Sequence, residues 1–269
     1  SAGSTGERGS ISIKAGNEIR LSNNAKISIE NAATIEGLSD LIPSLTSGAI
    51  NIDTVSLSLT DSDITANSSG NVDAGEISIT VTDQLHLDQS TISTKTINGS
   101  GGDIGIGIEE RGDIIYLLDS AITTSVEGRS GNGGDINIRA NSLAMNTGFI
   151  QANTAALSAS GGDINIDVLA LVPSSNILQV GGKTPAEFLP FSGRNVIQAA
   201  APEGESGTIN PIPAQLNLSG MLTNLAIESF DSNALNRNMC TVDEGSSLFQ
   251  SGKGGMRMRA KDFLLSPML

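Results

Sequence analysis

The stretch "SGGDINID", residues 160–167, repeats a phrase that the chain has already used as "NGGDINIR" at 132–139 and "SGGDIGIG" at 100–107. An enzyme uses its catalytic residues once, whereas a phrase that returns at regular distances describes architecture. The shared pattern is Gly-x-Ile-x-Ile. A self-similar unit of about 20–50 residues is typical of solenoids, propellers and other repeat arrays.

The Gly-x-Ile-x-Ile pattern occurs six times, at spacings of 39, 27, 27, 32 and 28 residues. The copies begin at Gly9, Gly48, Gly75, Gly102, Gly134 and Gly162, and a degenerate copy, "GTINP", begins at Gly207. Paired glycines indicate a corner, where the backbone needs either a positive φ or the close approach of a neighbour. The two isoleucines place aliphatic side chains on one face of a short strand.

A second phrase accompanies the first in each repeat. It reads "LSLTDSDI" from Leu57, "LHLDQSTI" from Leu85, "IYLLDSAI" from Ile115 and "LAMNTGFI" from Leu143. Its first and third positions are apolar, which puts both side chains on the same face of a strand. The small residue at position six allows the chain to turn before the apolar residue at position eight points inward again.

Each repeat therefore holds about three short strands, and none can bury its apolar face alone. Stacking solves this, because the strands of one coil pair in parallel with those of the next, about 4.8 Å away. We expect Ile104, Ile136 and Ile164 to lie above one another, followed by a second column of Ile106, Ile138 and Ile166. The sequence predicts an all-β parallel β-helix solenoid of unspecified hand. A propeller, the main rival, needs about 40 residues and four strands per blade.

The pattern divides the chain into four segments. β-Helix coils are predicted for 1–168, and an irregular Pro- and Gly-rich insertion for 169–215, where "TPAEFL" at 184–189 has the signature of one short helix. Terminal coils are predicted for 216–250. The tail, 251–269, is expected to cap the open end of the solenoid or to remain disordered, and holds the chain's basic cluster, Arg257, Arg259 and Lys261.

Charge and composition exclude several classes of function. The net charge of −14 argues against nucleic-acid binding, which needs clustered lysine and arginine. No apolar run approaches the roughly 20 residues of a membrane-spanning helix. The chain has one cysteine, Cys240, so it forms no internal disulfide, and its role and redox state stay open. The opening residues resemble the middle of a repeat, so we expect a fragment or a processed product.

A column of carboxylates is expected at the glycine corners, because Asp103, Asp135 and Asp163 follow the glycines of three copies. Such residues cap turns by accepting hydrogen bonds from backbone amides, and this is the interpretation that we favour. Calcium is the alternative, since stacked carboxylates repel one another unless a cation offsets their charge. The calcium-binding nonapeptide of other β-solenoids is absent. No other cofactor is indicated.

Little in the sequence indicates catalysis. The single histidine, His86, stands between two inward leucines and should point outward, and no nucleophile elbow accompanies it. Zinc would need more histidine or cysteine ligands. β-Helical polysaccharide lyases need clustered carboxylates beside aromatic side chains, and only 3% of the residues are aromatic. We therefore predict no enzymatic activity and assign no catalytic residue.

Two surface motifs are weak indications of a binding function. "TISTKT" at 91–96 and "AITTS" at 121–125 suggest the threonine ladders of ice-binding β-helices, although the threonines do not keep one place in each coil. "RGD" at Arg111–Asp113 has the form of an integrin-type adhesion triplet, but a coil corner explains it as well. Neither motif alters the predicted class.

The chain resembles the filamentous haemagglutinin-like large exoproteins of bacterial two-partner secretion. The "GGDINI" coils with "L-x-L-x-x-S-x-I" carry the resemblance over about residues 9–168. Cys240, followed by "SSLF" at 246–249 and "GKGG" at 252–255, resembles the family's C-terminal signature "C…SSF…GRGG". Members commonly continue into a proline-rich end, whereas this chain continues "MRMRAKDF".

The resemblance implies an exported β-helical rod at the outer surface of a Gram-negative-type bacterium or free in the medium. Its partner would be an outer-membrane two-partner-secretion transporter, and its N-terminal secretion domain would lie outside this chain. We expect a non-catalytic rod segment of a surface adhesin or extracellular fibre, with its receptor open. The alternative is a β-helical protein that binds or degrades polysaccharide. Because polar, acidic sides offer little adhesion, self-association is expected along the axis.

Overall fold

The computed structural model describes residues 9–32, 48–107, 112–174 and 178–210. This part of the chain contains fourteen strands and no helix, and every strand pairing in it is parallel. The strands are β1 Ser10–Lys14, β2 Glu18–Leu21, β3 Lys26–Asn31, β4 Ala49–Thr60, β5 Asp63–Ser68, β6 Glu76–Asp88, β7 Thr91–Thr96, β8 Ile104–Ile106, β9 Gly112–Val126, β10 Ile136–Thr154, β11 Ile164–Pro173, β12 Leu178–Val180, β13 Asn195–Gln198 and β14 Ile209–Asn210. The predicted all-β parallel β-helix is confirmed.

The strands wrap around the core as three faces, each a stack of parallel strands. The Gly-x-Ile-x-Ile copies form the first face in register, as predicted: Ile136 pairs with Ile104 on one side and Ile164 on the other. Ile106, Ile138 and Ile166 form the adjacent column. The complete first column reads Ile11, Ile50, Ile77, Ile104, Ile136, Ile164 and Ile209. It is continuous across all the described coils.

The second phrase supplies the other two faces. On the second face, Leu57, Leu85, Ile115, Leu143 and Leu171 stack in register and are at most 1% exposed. On the third face, the residues at position eight stack in the same way, and the column reads Ile27, Ile64, Ile92, Ile122, Ile150 and Ile197. One apolar cluster contains all three columns, so each coil buries its faces against its neighbours.

The corner between the second and third faces needs a left-handed residue at position five of the phrase, one place before the small residue that the sequence indicated. Asp61, Gln89, Asp119 and Thr147 occupy it with φ of 46°, 49°, 45° and 55°. The serine at position six is buried and donates its hydroxyl to a backbone oxygen two residues earlier, as in Ser90 to Asp88 at 2.7 Å. Its oxygen also accepts a backbone N–H from the preceding coil, Ser62, at 3.1 Å. The serine hydroxyl therefore stabilises the corner in the three copies that have one, whereas the fourth copy has Gly148.

The glycine corners are explained by close approach. The second glycine of each pair lies against the backbone of the preceding coil, so that a Cβ built on Gly162 would overlap the carbonyl oxygen of Gly134. A Cβ on Gly134 would overlap the carbonyl oxygen of Gly102 in the same way. None of these three glycines has a positive φ. The sequence left two reasons for these glycines open, a positive φ and the close approach of a neighbour. The structure supports the close approach, which leaves no room for a side chain.

The regular coil continues past residue 168, where the sequence predicted that it would end. β11 runs to Pro173 and pairs with β10 along its length, so it serves both the first and the second face. β13 pairs with β10 on the third face, Ile150 with Ile197, which completes the same coil. The expected helix at 184–189 is wrong, because these residues form an irregular loop. The predicted terminal coils (216–250) and the tail (251–269) lie outside the described residues.

The order of the last strands on the third face departs from the order of the chain. β12 pairs with β13, and β13 pairs with β10, so the stack reads β10, β13, β12. After β11 the chain therefore first forms β12, the outermost strand of this stack. It then returns through the loop at 181–194 to form β13, which lies between β10 and β12.

Candidate functional surfaces

The predicted column of carboxylates exists, and its members cap backbone amides. The Oδ1 atom of Asp103 accepts a hydrogen bond of 2.8 Å from the N–H of Asp135, and that of Asp135 accepts one of 2.7 Å from the N–H of Asp163. Asp163 Oδ1 accepts from both the N–H and the hydroxyl of Thr208, at 2.8 and 2.7 Å. Each carboxylate thus binds the next coil, whereas the sequence predicted that it would fix its own turn.

The environment shifts the pKa values of this column in opposite directions. Partial burial raises the pKa of Asp103, and the negative charges of Asp135 and Glu76 add to the rise, against the N–H of Asp135, which lowers it. The hydroxyl and N–H of Thr208 lower the pKa of Asp163. The anionic form of Asp103, at the N-terminal end of the column, is therefore disfavoured chiefly by burial, whereas that of Asp163, at the C-terminal end, is stabilised by Thr208.

The calcium alternative for Asp103, Asp135 and Asp163 gains no support from the geometry. Across the described ranges, no three or more His, Cys, Asp or Glu side chains come together in a group that could hold a metal ion. The three residues lie on successive rungs, and each uses Oδ1 to accept a backbone N–H. The capping interpretation is the one that these contacts support.

His86 points outward, as predicted, between the buried side chains of Leu85 and Leu87. Its ring stacks on that of Tyr116 in the next coil, with centroids 5.1 Å apart and planes inclined by 26°. Among the described residues, no carboxylate is hydrogen-bonded to either ring nitrogen. The stacked pair forms a small aromatic surface on the second face and lacks the orienting group of a catalytic triad.

The threonine-rich stretches do not form a surface ladder. Thr94 and Thr124 point into the solenoid, are fully buried, and donate their hydroxyls to the carbonyl oxygens of Gly102 and Gly134. They tie the third face to the glycine corner. The outward column beside them reads Ser28, Thr65, Ser93, Thr123, Gln151 and Gln198, which is not a repeated hydroxyl array.

The "RGD" triplet is described in part, since Arg111 lies outside the described residues. Gly112 is buried and begins β9. Asp113 is exposed, and its Oδ1 accepts a hydrogen bond of 2.9 Å from Asn141 Nδ2 in the next coil. This aspartate therefore links two coils. Cys240 also lies outside the described residues.

The loop at 181–194 folds back onto the third face and is held there at several points. The ring of Phe188 packs edge-on against Phe149, with centroids 5.0 Å apart. The N–H of Phe191 donates to Asp119 Oδ1 at 2.6 Å, and that of Gly193 to Thr147 Oγ1 at 3.0 Å. Asp119 and Thr147 are the left-handed corner residues of successive coils, so the scaffold itself positions the loop.

Gln198 fixes the other half of this loop. Its Oε1 atom accepts the N–H of Ala186 at 2.7 Å, and its Nε2 atom donates to the carbonyl oxygens of Gly181, Gly182 and Thr184. Gln151 Nε2 donates to the carbonyl oxygen of Ala186 at 2.9 Å. Two glutamines in one outward column thus satisfy the backbone of an irregular segment.

The tip of this loop exposes apolar side chains. Leu189 is 46% and Phe191 73% exposed, and Pro190 between them is also exposed. Phe191 has a φ of 58°, which is unusual for a bulky residue. Sequence reasoning missed this tip and described the sides of the solenoid as polar. The available signal was the run "FLPF" at 188–191, where two of the six phenylalanines fall within four residues.

No helix long and apolar enough to cross a membrane is found in the described part of the chain. No protein-family model, curated protein or solved structure matches the chain.

Proposed function

We propose that the chain is a structural rod segment of a secreted bacterial adhesin or extracellular fibre, without catalytic activity. One observation carries this proposal: the side chains that most resemble a site, the carboxylate column, are used to join one coil to the next. The same is true of Asp73, whose Oδ1 accepts the N–H of Ser100 at 2.6 Å. Polar side chains that link successive coils along the axis suit a protein that serves as a structural rod.

The resemblance to filamentous haemagglutinin-like exoproteins supports the same function. It rests on the repeat and on the "GKGG" tail, and it implies export from the cell through a two-partner-secretion transporter. A fold held together by parallel pairing between successive coils can be added to coil by coil, which suits a chain that folds as it emerges. The receptor of such a rod is not indicated by any described residue.

The alternative, a polysaccharide-binding or polysaccharide-degrading protein, is favoured by one observation, the outward pair of His86 and Tyr116. Planar rings on a flat sheet can contact sugar rings. Ser58 and Ala144 flank the pair on the neighbouring coils and leave room beside each ring. This arrangement supports binding more than cleavage, because no carboxylate in the described residues is hydrogen-bonded to a ring nitrogen of His86.

The two functions are separated by an assay of the purified chain with uronic-acid polymers and neutral glycans. We expect no release of reducing ends or unsaturated products. Turnover that a single carboxylate substitution abolishes would overturn the non-catalytic proposal. Glycan binding that is lost in Tyr116→Ala, without turnover, would support the binding alternative.

Export is tested separately by joining residues 1–269 to a two-partner-secretion domain in a bacterium that carries the matching transporter. We expect the chain to reach the cell surface or the medium and to remain inside when the transporter is deleted. Export that is independent of the transporter would contradict the proposed route.

A further inference from the structure

We propose that the apolar loop tip, Leu189–Phe191, packs against the second face of another copy of this chain, so that rods associate side by side. The inference deepens the proposed rod function and rests on it, because it names the partner of one side of the rod. The tip is built for contact, since it presents two apolar side chains while its backbone is tied to the scaffold. A preorganised loop loses little conformational entropy when it binds.

The strain in the tip supports this role. Phe191 has a left-handed backbone that a bulky side chain adopts only at a cost, and its exposed ring gains no burial in return. The backbone is held by Asp119, while Phe188 anchors the loop on Phe149. Two anchors therefore hold a conformation that directs Phe191 into solvent, and packing among the described residues does not explain it.

The second face carries an apolar strip that fits such a tip. We call Ile114, Tyr116 and Leu118 the β9 strip, because they alternate outward along β9. In register with Tyr116, the next coils place Ala144 and then Val172. The register thus places a small residue between two large ones on successive rungs, and we infer from this a shallow depression at Ala144, about two strand spacings wide. A single aromatic ring matches this width.

Charge complementarity selects a second copy as the occupant. The loop at 181–194 carries Lys183, Glu187 and Arg194, a net charge of +1 on a chain of net charge −14. Beside the β9 strip, Asp88 lies in register with Leu118, and Asp83 and Asp113 directly precede the paired residues Gln84 and Ile114. An apolar centre with a basic side chain on one partner and acidic side chains on the other favours this pairing over an anionic lipid surface. Tip and strip are different surfaces, so the contact is heterologous and can propagate from rod to rod.

Association is measured on the full chain by sedimentation velocity from micromolar to millimolar concentration. We expect reversible association that Phe191→Ser weakens at least about tenfold, the order seen when a buried aromatic anchor is removed. Ile114→Lys should weaken it similarly from the other partner. Leu157→Ser is the control, because Leu157 is also a strongly exposed apolar residue, at 61%, but lies at another corner. Thermal unfolding of each variant reports whether the fold is kept.

The geometry is tested by cross-linking in a Cys240→Ser background. Equal amounts of the Phe191→Cys and Tyr116→Cys variants should form mixed disulfides under oxidising conditions, in excess of either homodimer. Predominant Phe191 homodimers would overturn the heterologous contact. The proposal also fails if the wild-type chain stays monomeric throughout, or if Phe191→Ser abolishes binding to zwitterionic vesicles and leaves self-association unchanged. None of these outcomes bears on transporter-dependent export or on the lack of turnover.

Discussion

The carboxylate of Asp135 accepts the backbone N–H of Asp163, 2.7 Å away and one coil further along, and the N–H of Asp135 itself donates to Asp103. Asp135 is thus acceptor for one neighbour and donor to the other. The recurring aspartate therefore links one coil to the next, and its removal should lower the free energy of unfolding.

Asp135→Ala removes the acceptor for the N–H of Asp163 and should lower the free energy of unfolding by about 1–2 kcal/mol, as at a helix cap. Asp135→Asn keeps an oxygen at the same place and should cost less. Urea unfolding of the two variants measures the difference. Equal losses in both would show that charge, and not the hydrogen bond, is what the corner requires.

Ile136→Asp places a carboxylate between Ile104 and Ile164, at a position that is 0% exposed. We expect a loss of at least about 4 kcal/mol, because the charge has no partner in the aliphatic column. Asn137→Asp is the matched control: its side chain points outward, and Asp retains the oxygen that accepts from Asn165 Nδ2. Similar losses in the two variants would contradict the inward and outward assignment.

Gly134→Ala should destabilise the chain strongly, because its Cβ would overlap the carbonyl oxygen of Gly102. Backbone on both sides of this corner must shift, so we expect a loss of more than about 2 kcal/mol. Gly16→Ala provides the comparison, since its Cβ would meet nothing within 4 Å. That variant should be neutral or slightly stabilising. Thermal unfolding of both distinguishes steric exclusion from a general sensitivity of glycine positions.

Asp163 should stabilise the fold at neutral pH and lose this effect in acid. Its pKa is lowered in the folded chain by Thr208, so its contribution is present above the unfolded pKa of about 3.9 and is lost as pH falls through the folded pKa. The free energies of wild type and Asp163→Asn should therefore converge below that range. A difference between the two that does not change with pH would contradict the assignment.

Asp103 should behave in the opposite way. Burial and the charges of Asp135 and Glu76 raise its pKa, so its stabilising contribution is present below the unfolded pKa and is lost as pH rises through the folded pKa. Asp103→Asn keeps the oxygen that accepts from Asp135 and removes the unfavourable charge. We expect it to raise the free energy of unfolding at pH 7, with the gain disappearing in acid. Urea unfolding as a function of pH checks the sign.

The sequence predicted the coils because the repeat places the same physical demands on each of them. The stacking of Ile104, Ile136 and Ile164 followed from spacing alone, and so did the outward direction of His86. Strand pairing beyond residue 168 was missed because β11 and β13 belong to one coil but are separated by a loop. The short β13, "NVIQ", carries no recurring phrase, and only its pairing with β10 identifies it.

The loop tip escaped prediction for a related reason. Nothing in "TPAEFLPFSG" reveals that Asp119 and Thr147 hold it, since these contacts join residues 72 and 46 positions apart. The capping signals at 184–189 favoured a helix, but Gln198 accepts the N–H of Ala186 and donates to the carbonyl oxygen of Thr184. The ring of Phe188 also packs against Phe149. Tertiary contacts overrode the local preference.

The stacking of β12 beyond β13 has a consequence for the order of folding. Elsewhere each coil can be laid on the one before it as the chain lengthens, because every strand rests on one that precedes it. β12 breaks this rule, since the strand beneath it comes later in the chain. It cannot dock until the residues up to Gln198 are present, and Gln198 also binds the loop carbonyls in between. Residues 178–198 therefore close in one step: β12 waits for β13, the later strand, to dock on β10 before it can join the stack.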